Sequence, residues 1–201
     1  MPKNTFYNIN PEKRKRIINI AIKEFKDSHY ENASINNIIK NAGIPKGSFY
    51  QYFENKKDLF EYIIGLVRKE KLNYVTERVR NPKEYRFFEV IHDMSNIALT
   101  FAENHPELQA ISEKLVQDRD HDIYKEILSK NREIALSEYR ELIELGISKG
   151  ELDSNINSYL TAHMIYSYNR EIVTFYIENP NFNKEEVIND YVSLLQYGIA
   201  K

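Results

Sequence analysis

The sequence predicts an all-α protein of about nine helices, and three observations lead to that prediction. Glycine and proline occur only six times each in 201 residues, too few for the turns that a sheet needs at every hairpin. Apolar residues recur at helical spacing, as at Ile17, Ala21 and Phe25, and no long segment alternates between apolar and polar residues. Residues typical of helix ends separate the apolar segments. We therefore expect a head of three helices at the N-terminus, followed by a larger helical domain.

Capping residues predict where the first helices begin and end. Asn10 precedes a proline, and this pair is typical of a helix start because proline fits the first helical position. Ser34 is the expected N-cap of a second helix, which Gly43 ends, and Pro45 opens a very short third one. Asn55 is the expected cap of a fourth helix that continues to about residue 79. The later helices are expected over about 82–104, 106–118, 121–148, 155–178 and 184–199.

Composition excludes several classes of protein. The chain has no cysteine, which excludes disulfide scaffolds, thiolate zinc sites and cysteine nucleophiles. It has no apolar signal segment and no apolar run as long as a membrane span, so we expect a cytoplasmic protein without a membrane partner. Its five histidines lack metal-binding spacing, there is no glycine-rich phosphate loop, and no nucleophile has a visible base. We therefore predict no enzyme, no metal and no cofactor.

One acidic stretch resembles the first half of a calcium loop. Asp118, Asp120 and Asp122 have the right spacing, but Ile123 stands where glycine is needed and Ser129 stands where a bidentate glutamate is needed. We interpret this stretch as an exposed acidic turn.

Charge divides the chain unevenly. Residues 1–57 carry eleven basic and five acidic side chains, a net charge of +6, whereas residues 58–201 carry a net charge of −8. Such asymmetry is typical of a chain with two modules, of which one faces a polyanion and the other does not. We therefore place a boundary at residue 57, between a basic segment, 1–57, and an acidic one, 58–201. Charge also fluctuates along ordinary sequences, so this division depends on the motif within the first segment.

The segment from Ser34 to Tyr52 has the dimensions of a helix-turn-helix, two short helices joined by a tight glycine turn. A helix of about seven residues is about 10 Å long, which fits a major groove about 12 Å wide. Gly47 would permit close approach of the backbone to DNA. Any helical hairpin with a glycine turn has similar dimensions, so a helical scaffold with a purely structural helix-turn-helix is the alternative. The side chains expected to point outward are those of Lys46, Ser48, Tyr50 and Tyr52.

The residues from Ser34 to Leu59 closely resemble the DNA-binding signature of the tetracycline-repressor (TetR) family. They contain an Ala-Gly turn, a Lys-Gly-Ser run, an aromatic pair before a phenylalanine, and a lysine just inside the next helix. Arg16, Ile17, Ile18, Ala21, Phe25 and Tyr30 also match the family's first helix. His29 stands where the family often has glycine, a departure confined to the local turn. The resemblance implies a homodimer, usually a repressor, that binds a palindromic operator and is released by a small-molecule effector.

The resemblance implies that residues 1–57 form a helix-turn-helix DNA-binding domain and residues 58–201 a helical ligand-binding and dimerisation domain. It also implies which side chains bind DNA. Lys46, Gly47 and Ser48 would approach bases or phosphates, and the tyrosines would donate hydrogen bonds to phosphate. Lys56 would add charge at a helix N-terminus, and Gln51 is the one residue of the short helix that suits bidentate base recognition. For each tyrosine the alternative is packing in the core, to which we assign Phe49 and Phe53. The full set is Ser34, Asn36, Lys46, Gly47, Ser48, Tyr50, Gln51, Tyr52 and Lys56.

The helix predicted over 155–178 is apolar nearly all round, so it must be covered on more than one side. The resemblance implies that this helix and the last one pair with those of a second copy. The expected interface residues are Tyr159, Tyr166, Ile172, Phe175, Tyr176, Val187, Tyr191, Leu194 and Leu195.

A ligand pocket is also expected in the second domain, although aromatic residues at helical spacing are typical of a core as well. For Arg170 we favour an ion pair over contact with an anionic ligand. The candidate pocket residues are Phe88, His92, Asn96, Phe101, Tyr124, Tyr139, Tyr166, Asn169 and Arg170.

Overall fold

The structure is a computed structural model that describes residues 1–117 and 122–198. Within these residues it contains eleven α-helices, a 3-10 helix over Pro82–Glu84 and no strand, which confirms the all-α prediction. The α-helices are α1 (Asn4–Tyr7), α2 (Pro11–Asp27), α3 (Ile35–Ala42), α4 (Lys46–Tyr52), α5 (Lys56–Leu72), α6 (Glu77–Arg80), α7 (Phe87–Asn104), α8 (Pro106–Gln117), α9 (Asp122–Ser148), α10 (Ser158–Glu178) and α11 (Lys184–Tyr197).

The predicted capping residues fix the ends of the first helices. The side chain of Asn10 accepts hydrogen bonds from two backbone N–H groups in the first turn of α2. The Ser34 side chain caps α3 in the same way, and Gly43 ends that helix in the left-handed conformation with φ +62°. Asn55 accepts a hydrogen bond of 3.0 Å from the backbone N–H of Asp58, which fixes the start of α5. These ends were predictable because each depends on residues a few positions apart.

Two parts of the helix prediction are wrong. The helix that begins after Asn55 ends at Leu72, not near residue 79, because a separate short helix, α6, follows. The Thr76 hydroxyl caps α6 and donates a 2.6 Å hydrogen bond to Asp93 on α7, a tertiary contact that local sequence does not reveal. The next helix begins at Phe87, since the residues after Asn81 form only the short 3-10 helix.

The chain packs as two compact units. The N-terminal unit contains residues 1–70 and 105–127, and the C-terminal unit contains residues 71–104 and 128–201. Helices α5 and α9 contribute residues to both units, so this packing division differs from the functional division at residue 57, which stays a prediction.

The N-terminal unit has an aromatic core, and this accounts for part of the high tyrosine and phenylalanine content. Its fully buried phenylalanines come from several elements. The rings of Phe25 in α2 and Phe60 in α5 pack edge to face, with their centroids 4.9 Å apart. Helix α8 packs against α2 and buries Leu108, Ile111 and Leu115.

In the C-terminal unit, α7 packs against both α10 and α11. The core of this unit is mainly aliphatic and contains Ile91, Leu99, Ile143, Ile165 and Ile188. No helix in the described parts of the chain combines the length and apolarity that crossing a bilayer requires.

Candidate nucleic-acid interface

The turn between α3 and α4 leaves the beginning of α4 on the surface of the N-terminal unit. Phe49 is fully buried and holds α4 in the core. Lys46 and Gly47 are exposed in the first turn, Ser48 is half-buried, and Tyr50 is 43% exposed. Lys46 makes no ion pair or side-chain hydrogen bond with any residue that the structure describes. This arrangement presents a cation, a backbone without a side chain, a hydroxyl and a phenol on one short helix.

Glu24 of α2 orients the beginning of α3. Its carboxylate accepts a hydrogen bond of 2.8 Å from the backbone N–H of Ser34 and one of 3.3 Å from the side-chain amide of Asn37. The Ser34 hydroxyl accepts from the backbone N–H of Asn37 at 3.3 Å, so Ser34 serves as the helix cap. Asn36 is exposed in the same turn. Ser34 and Asn36, both predicted to bind DNA, therefore lie together at the beginning of α3, and Asn36 is exposed to solvent.

Tyr52 does not lie where we expected. It is only 5% exposed, its ring centroid lies 5.8 Å from that of Phe6, and the Lys13 ammonium lies 5.7 Å from the ring. Position 52 is three residues after Phe49 and therefore shares the inward face of α4. We correct the assignment of Tyr52 from DNA contact to core residue, the alternative stated above. Gln51 is exposed, on the opposite side from Phe49.

Lys56 is also engaged within the chain. Its ammonium donates hydrogen bonds to the carbonyl oxygens of Glu31, at 2.9 Å, and Ala33, at 3.0 Å, and lies 4.6 Å from the ring centroid of Tyr30. Partial burial lowers the pKa of Lys56, and the negative charge of Glu31 opposes that shift. Lys56 thus holds the loop between α2 and α3, and its phosphate contact stays a prediction.

Two supporting contacts were not predicted. Arg16 Nε donates a 3.1 Å hydrogen bond to the carbonyl oxygen of Ala42, which ties α2 to the last turn of α3. The segment before α2 folds onto α4, with Phe6 fully buried there. A segment of seven residues is too short to show helical periodicity. Its two aromatic residues, Phe6 and Tyr7, were the only signal of burial in its sequence.

Comparison with known proteins shows which regulators the chain is similar to. Residues 17–63 match the family model described as "Bacterial regulatory proteins, tetR family". A fatty acid metabolism regulator protein of Bacillus subtilis (strain 168) is 26% identical over 191 residues, which cover 92% of this chain and 94% of the relative. The crystal structure of a TetR family transcriptional regulator from Chloroflexus aurantiacus J-10-FL matches with a TM-score of 0.71 and 28% identity, covering 97% of this chain and 89% of that one. Residues 17–63 therefore match the DNA-binding segment of the TetR family, and over most of its length the chain is similar to a TetR-family regulator.

A further solved structure has the same fold. The transcriptional regulator FadR from Bacillus subtilis, in complex with stearoyl-CoA, matches with a TM-score of 0.74 and 20% identity, covering 92% of this chain and 99% of that one. TetR-family proteins are DNA-binding transcriptional regulators, so this chain is a regulator and not an enzyme.

Helix α10 of the chain has two apolar faces. Ala162, Ile165 and Val173 are buried within the chain. The other face exposes large apolar side chains, spaced four residues apart from 160 to 168 and followed by one at 175. These are Leu160 at 57% exposure, Met164 at 46%, Tyr168 at 44% and Phe175 at 40%. An apolar face of this length on a helix needs a cover.

The residues predicted for the dimer interface divide into two groups. Val187 and Tyr191 are buried in the core of the C-terminal unit, because α11 directs them inward, so we correct their assignment to core residues. Ile172, Tyr166, Tyr176 and Leu195 are half-buried, and Tyr159, Phe175 and Leu194 are exposed.

The candidate pocket residues lie in different parts of the chain, and their shared pocket stays a prediction. Phe88 and His92 line an open cleft of about 340 Å³ in the C-terminal unit, together with Arg78, Arg86, Glu89, Val192 and Gln196. Phe101 and Tyr139 are buried core residues of that unit. Tyr124 belongs to the N-terminal unit, where its hydroxyl accepts a 2.7 Å hydrogen bond from the backbone N–H of Tyr30.

The remaining candidates are polar residues of α7 and α10. Asn96 accepts a 3.3 Å hydrogen bond from Thr100, and Asn169 is buried against Ser95. Arg170 is exposed, lies 5.9 Å from the ring centroid of Tyr166, and has no ion pair among the described residues, so the favoured ion pair is not present within them.

No group of three or more potential metal ligands comes together among the residues that the structure describes. Asp118 and Asp120 of the acidic stretch lie outside those residues.

Proposed function

We propose that the chain is a homodimeric repressor that binds a palindromic operator and leaves it when a small-molecule effector binds. The observation that carries this proposal is the exposed beginning of α4, where Lys46, Gly47 and Tyr50 are exposed and Ser48 is half-buried, within residues 1–57, which carry a net charge of +6. A cation and hydroxyl groups suit phosphate, and an exposed short helix suits a major groove. Such a regulator acts in the cytoplasm, where the chromosome lies.

Dimerisation is supported by the outer face of α10 and by exposed apolar residues of α11. Two copies related by a two-fold axis would bury the face that contains Leu160, Met164, Tyr168 and Phe175. The same axis presents two α4 helices to two half-sites, so a palindrome matches the symmetry of the protein.

For the effector we propose a fatty acyl compound. Two of the matches support this class, a relative named for fatty acid metabolism and a structure solved with stearoyl-CoA. The cleft of the C-terminal unit combines the aromatic side chain of Phe88 with the guanidinium group of Arg86, a lining that suits a partly apolar anion. An effector releases DNA when it prefers a conformation in which the two heads no longer fit successive grooves.

The test begins with selection of binding sites from random duplexes by the intact protein. We expect an enriched palindrome, bound with an affinity that falls steeply with salt. Lys46→Ala should weaken binding and lower the salt slope by about one, because one phosphate contact is lost. Lys83→Ala, at an exposed lysine of the C-terminal unit, is the matched control and should bind like wild type. If no sequence is enriched, the scaffold alternative is correct.

Release is tested on the selected site with stearoyl-CoA and, as control, coenzyme A without the acyl chain. Dissociation by stearoyl-CoA alone supports the acyl effector. Dissociation by neither compound contradicts this effector class, but it leaves the DNA-binding result intact.

A further inference from the structure

Residues 2–7, here called the N-terminal arm, contact the C-terminal end of the recognition helix α4. The backbone N–H of Lys3 donates to the carbonyl oxygen of Tyr52 at 2.9 Å, and the Lys3 ammonium donates to the carbonyl oxygen of Tyr50 at 2.9 Å. The Thr5 hydroxyl donates to the carbonyl oxygen of Gln51, which lies between them. Three successive carbonyl groups of α4 therefore find their partners in the arm.

These bonds meet a general need of helix ends. The last four carbonyl groups of a helix have no partner within it, and in α4 they belong to more than half of its seven residues. The first of them, on Phe49, accepts a 2.9 Å hydrogen bond from the backbone N–H of Phe53. The arm satisfies the other three, and the charge of Lys3 lies where the helix dipole favours a cation. A helix this short has little stability of its own, so its position depends on such contacts.

Apolar anchors hold the arm in place. Phe6 is fully buried, with its ring centroid 4.7 Å from that of Phe53 and 5.6 Å from that of Tyr62. Pro2 is also buried, at the other end of the arm. The polar contacts to α4 lie between these two anchors, so the arm is fixed on both sides of the bonds that it donates.

We propose that the N-terminal arm positions α4 for specific recognition of DNA, with Lys3, Thr5 and Phe6 as positioning residues that do not touch DNA themselves. This inference rests on the proposed function, because it assigns α4 to DNA. Base recognition requires side chains held in a fixed place, whereas nonspecific binding depends mainly on charge. Loss of an arm contact therefore lowers affinity for the selected site and leaves nonspecific affinity unchanged.

Thr5 offers a matched pair of substitutions. Thr5→Val removes the hydroxyl and keeps the shape, whereas Thr5→Ser keeps the hydroxyl. Fluorescence anisotropy should give about 3- to 10-fold weaker binding of Thr5→Val to the selected site, equal binding to random duplex, and wild-type behaviour for Thr5→Ser, in line with the loss of about one net hydrogen bond. Equal affinity of Thr5→Val and wild type for the selected site would overturn the proposal.

Lys3→Met distinguishes a positioning role from a phosphate contact. We expect weaker binding to the selected site with an unchanged salt slope. A slope lowered by about one would overturn the proposal, since it would place Lys3 on a phosphate. These measurements are made at a temperature where thermal unfolding shows every variant to be folded, so a loss of stability alone does not change them.

Phe6→Ala removes the buried anchor and should show a larger loss of specific binding than either polar variant. If it does not fold, the Thr5 pair and Lys3→Met still decide the question. The two proposals fail separately. If only the arm proposal is wrong, Lys46→Ala still weakens binding, but the arm variants bind like wild type. If the DNA-binding function is wrong, the wild-type protein selects no sequence.

Discussion

The side-chain amide of Asn169 on α10 donates a 3.0 Å hydrogen bond to the Ser95 hydroxyl on α7. The hydroxyl in turn donates to the carbonyl oxygen of Ile91 at 3.0 Å. Ser95 is fully buried and Asn169 is 8% exposed, so water is nearly excluded from both groups. A buried polar pair stabilises a fold when it is complete and destabilises it when one member is removed. This pair therefore fixes how α7 and α10 meet in the C-terminal unit.

We predict that Asn169→Ala lowers the free energy of unfolding by about 2–3 kcal/mol, since it leaves a cavity and takes away the donor to a buried hydroxyl. Ser95→Ala should cost about 1 kcal/mol, and the double variant less than the sum of the two. Urea unfolding of all three variants measures the coupling. Asn189→Ala, at an exposed position of α11, is the control. Additive losses would show that the two side chains do not act as a pair.

Local signals explain why the head was predictable in detail. Caps such as Ser34 and Gly43 act over three or four residues, so the sequence alone indicates where α3 begins and ends. Which of Tyr50 and Tyr52 is exposed and which is buried was not predictable in the same way. Helix α4 has only two turns, and the burial of Tyr52 depends on Phe6, which lies more than forty residues earlier in the chain.

The C-terminal unit was predicted as helical, but its inward and outward residues were not separated. On α11, Val187 and Tyr191 are core residues while Leu194 is exposed, and all three are apolar. Which of them face α7 depends on the packing of helices that are distant in sequence. Tyr124 and Tyr139 lie on the same helix but belong to different units, so a shared pocket could not be inferred from spacing alone.

Lys56 gives a prediction about the stability of the head. Lys56→Met keeps most of the side-chain stem and removes the ammonium that donates to the carbonyl oxygens of Glu31 and Ala33. We expect a loss of about 1 kcal/mol in the free energy of unfolding, because the group is partly exposed to water. The salt slope of DNA binding should stay unchanged. Lys40→Met, at an exposed lysine of α3, is the control for removal of one charge. A lowered slope in Lys56→Met would instead support the predicted phosphate contact of Lys56.

Glu103 gives a prediction about pH. Burial raises the pKa of its carboxyl, but hydrogen bonds from Lys184 and Tyr176 together with the charge of Lys184 outweigh burial, so the pKa is lowered. A lowered folded-state pKa contributes stability above the unfolded-state value of about 4.3, and the contribution is lost as pH falls through the folded-state value. Glu103→Gln should therefore be less stable than wild type at pH 7.

The difference between Glu103→Gln and wild type should shrink as pH falls below about 4.3. Thermal unfolding of both proteins at a series of pH values measures it. Glu178→Gln, at an exposed carboxylate of α10, should show no such trend. A difference that stays constant from pH 7 to pH 3 would mean that the Glu103 charge does not stabilise the fold.

The exposed face of α10 gives a prediction about assembly. A charge at Met164, which is 46% exposed in the single chain, would be buried in the proposed dimer without a partner. Met164→Glu should therefore yield monomers in size-exclusion chromatography with light scattering and should weaken operator binding. Lys83→Glu, outside this face, should remain a dimer. A dimer of Met164→Glu with wild-type stability would require a different interface.

Two glycines, Gly43 at the end of α3 and Gly47 in the first turn of α4, give the last prediction. An added Cβ at Gly47 meets no atom within 4 Å, and the residue lies inside a helix, so Gly47→Ala should raise the free energy of unfolding by up to about 1 kcal/mol. Gly43 has φ +62°, so Gly43→Ala should lower it by about 1 kcal/mol. By free energy of unfolding alone, Gly47→Ala should therefore rank above Gly43→Ala.

DNA binding should reverse that order. If the backbone at Gly47 approaches the groove closely, the added methyl group separates the two surfaces, and Gly47→Ala should bind the selected site at least about 10-fold more weakly, a loss of about 1.4 kcal/mol. Gly43→Ala, measured well below its unfolding temperature, should retain more of its affinity because its side chain adds nothing to the exposed face of α4. Urea unfolding and anisotropy on the same samples make the comparison. A more stable Gly47→Ala with full affinity would mean that DNA does not contact the first turn of α4 at this residue.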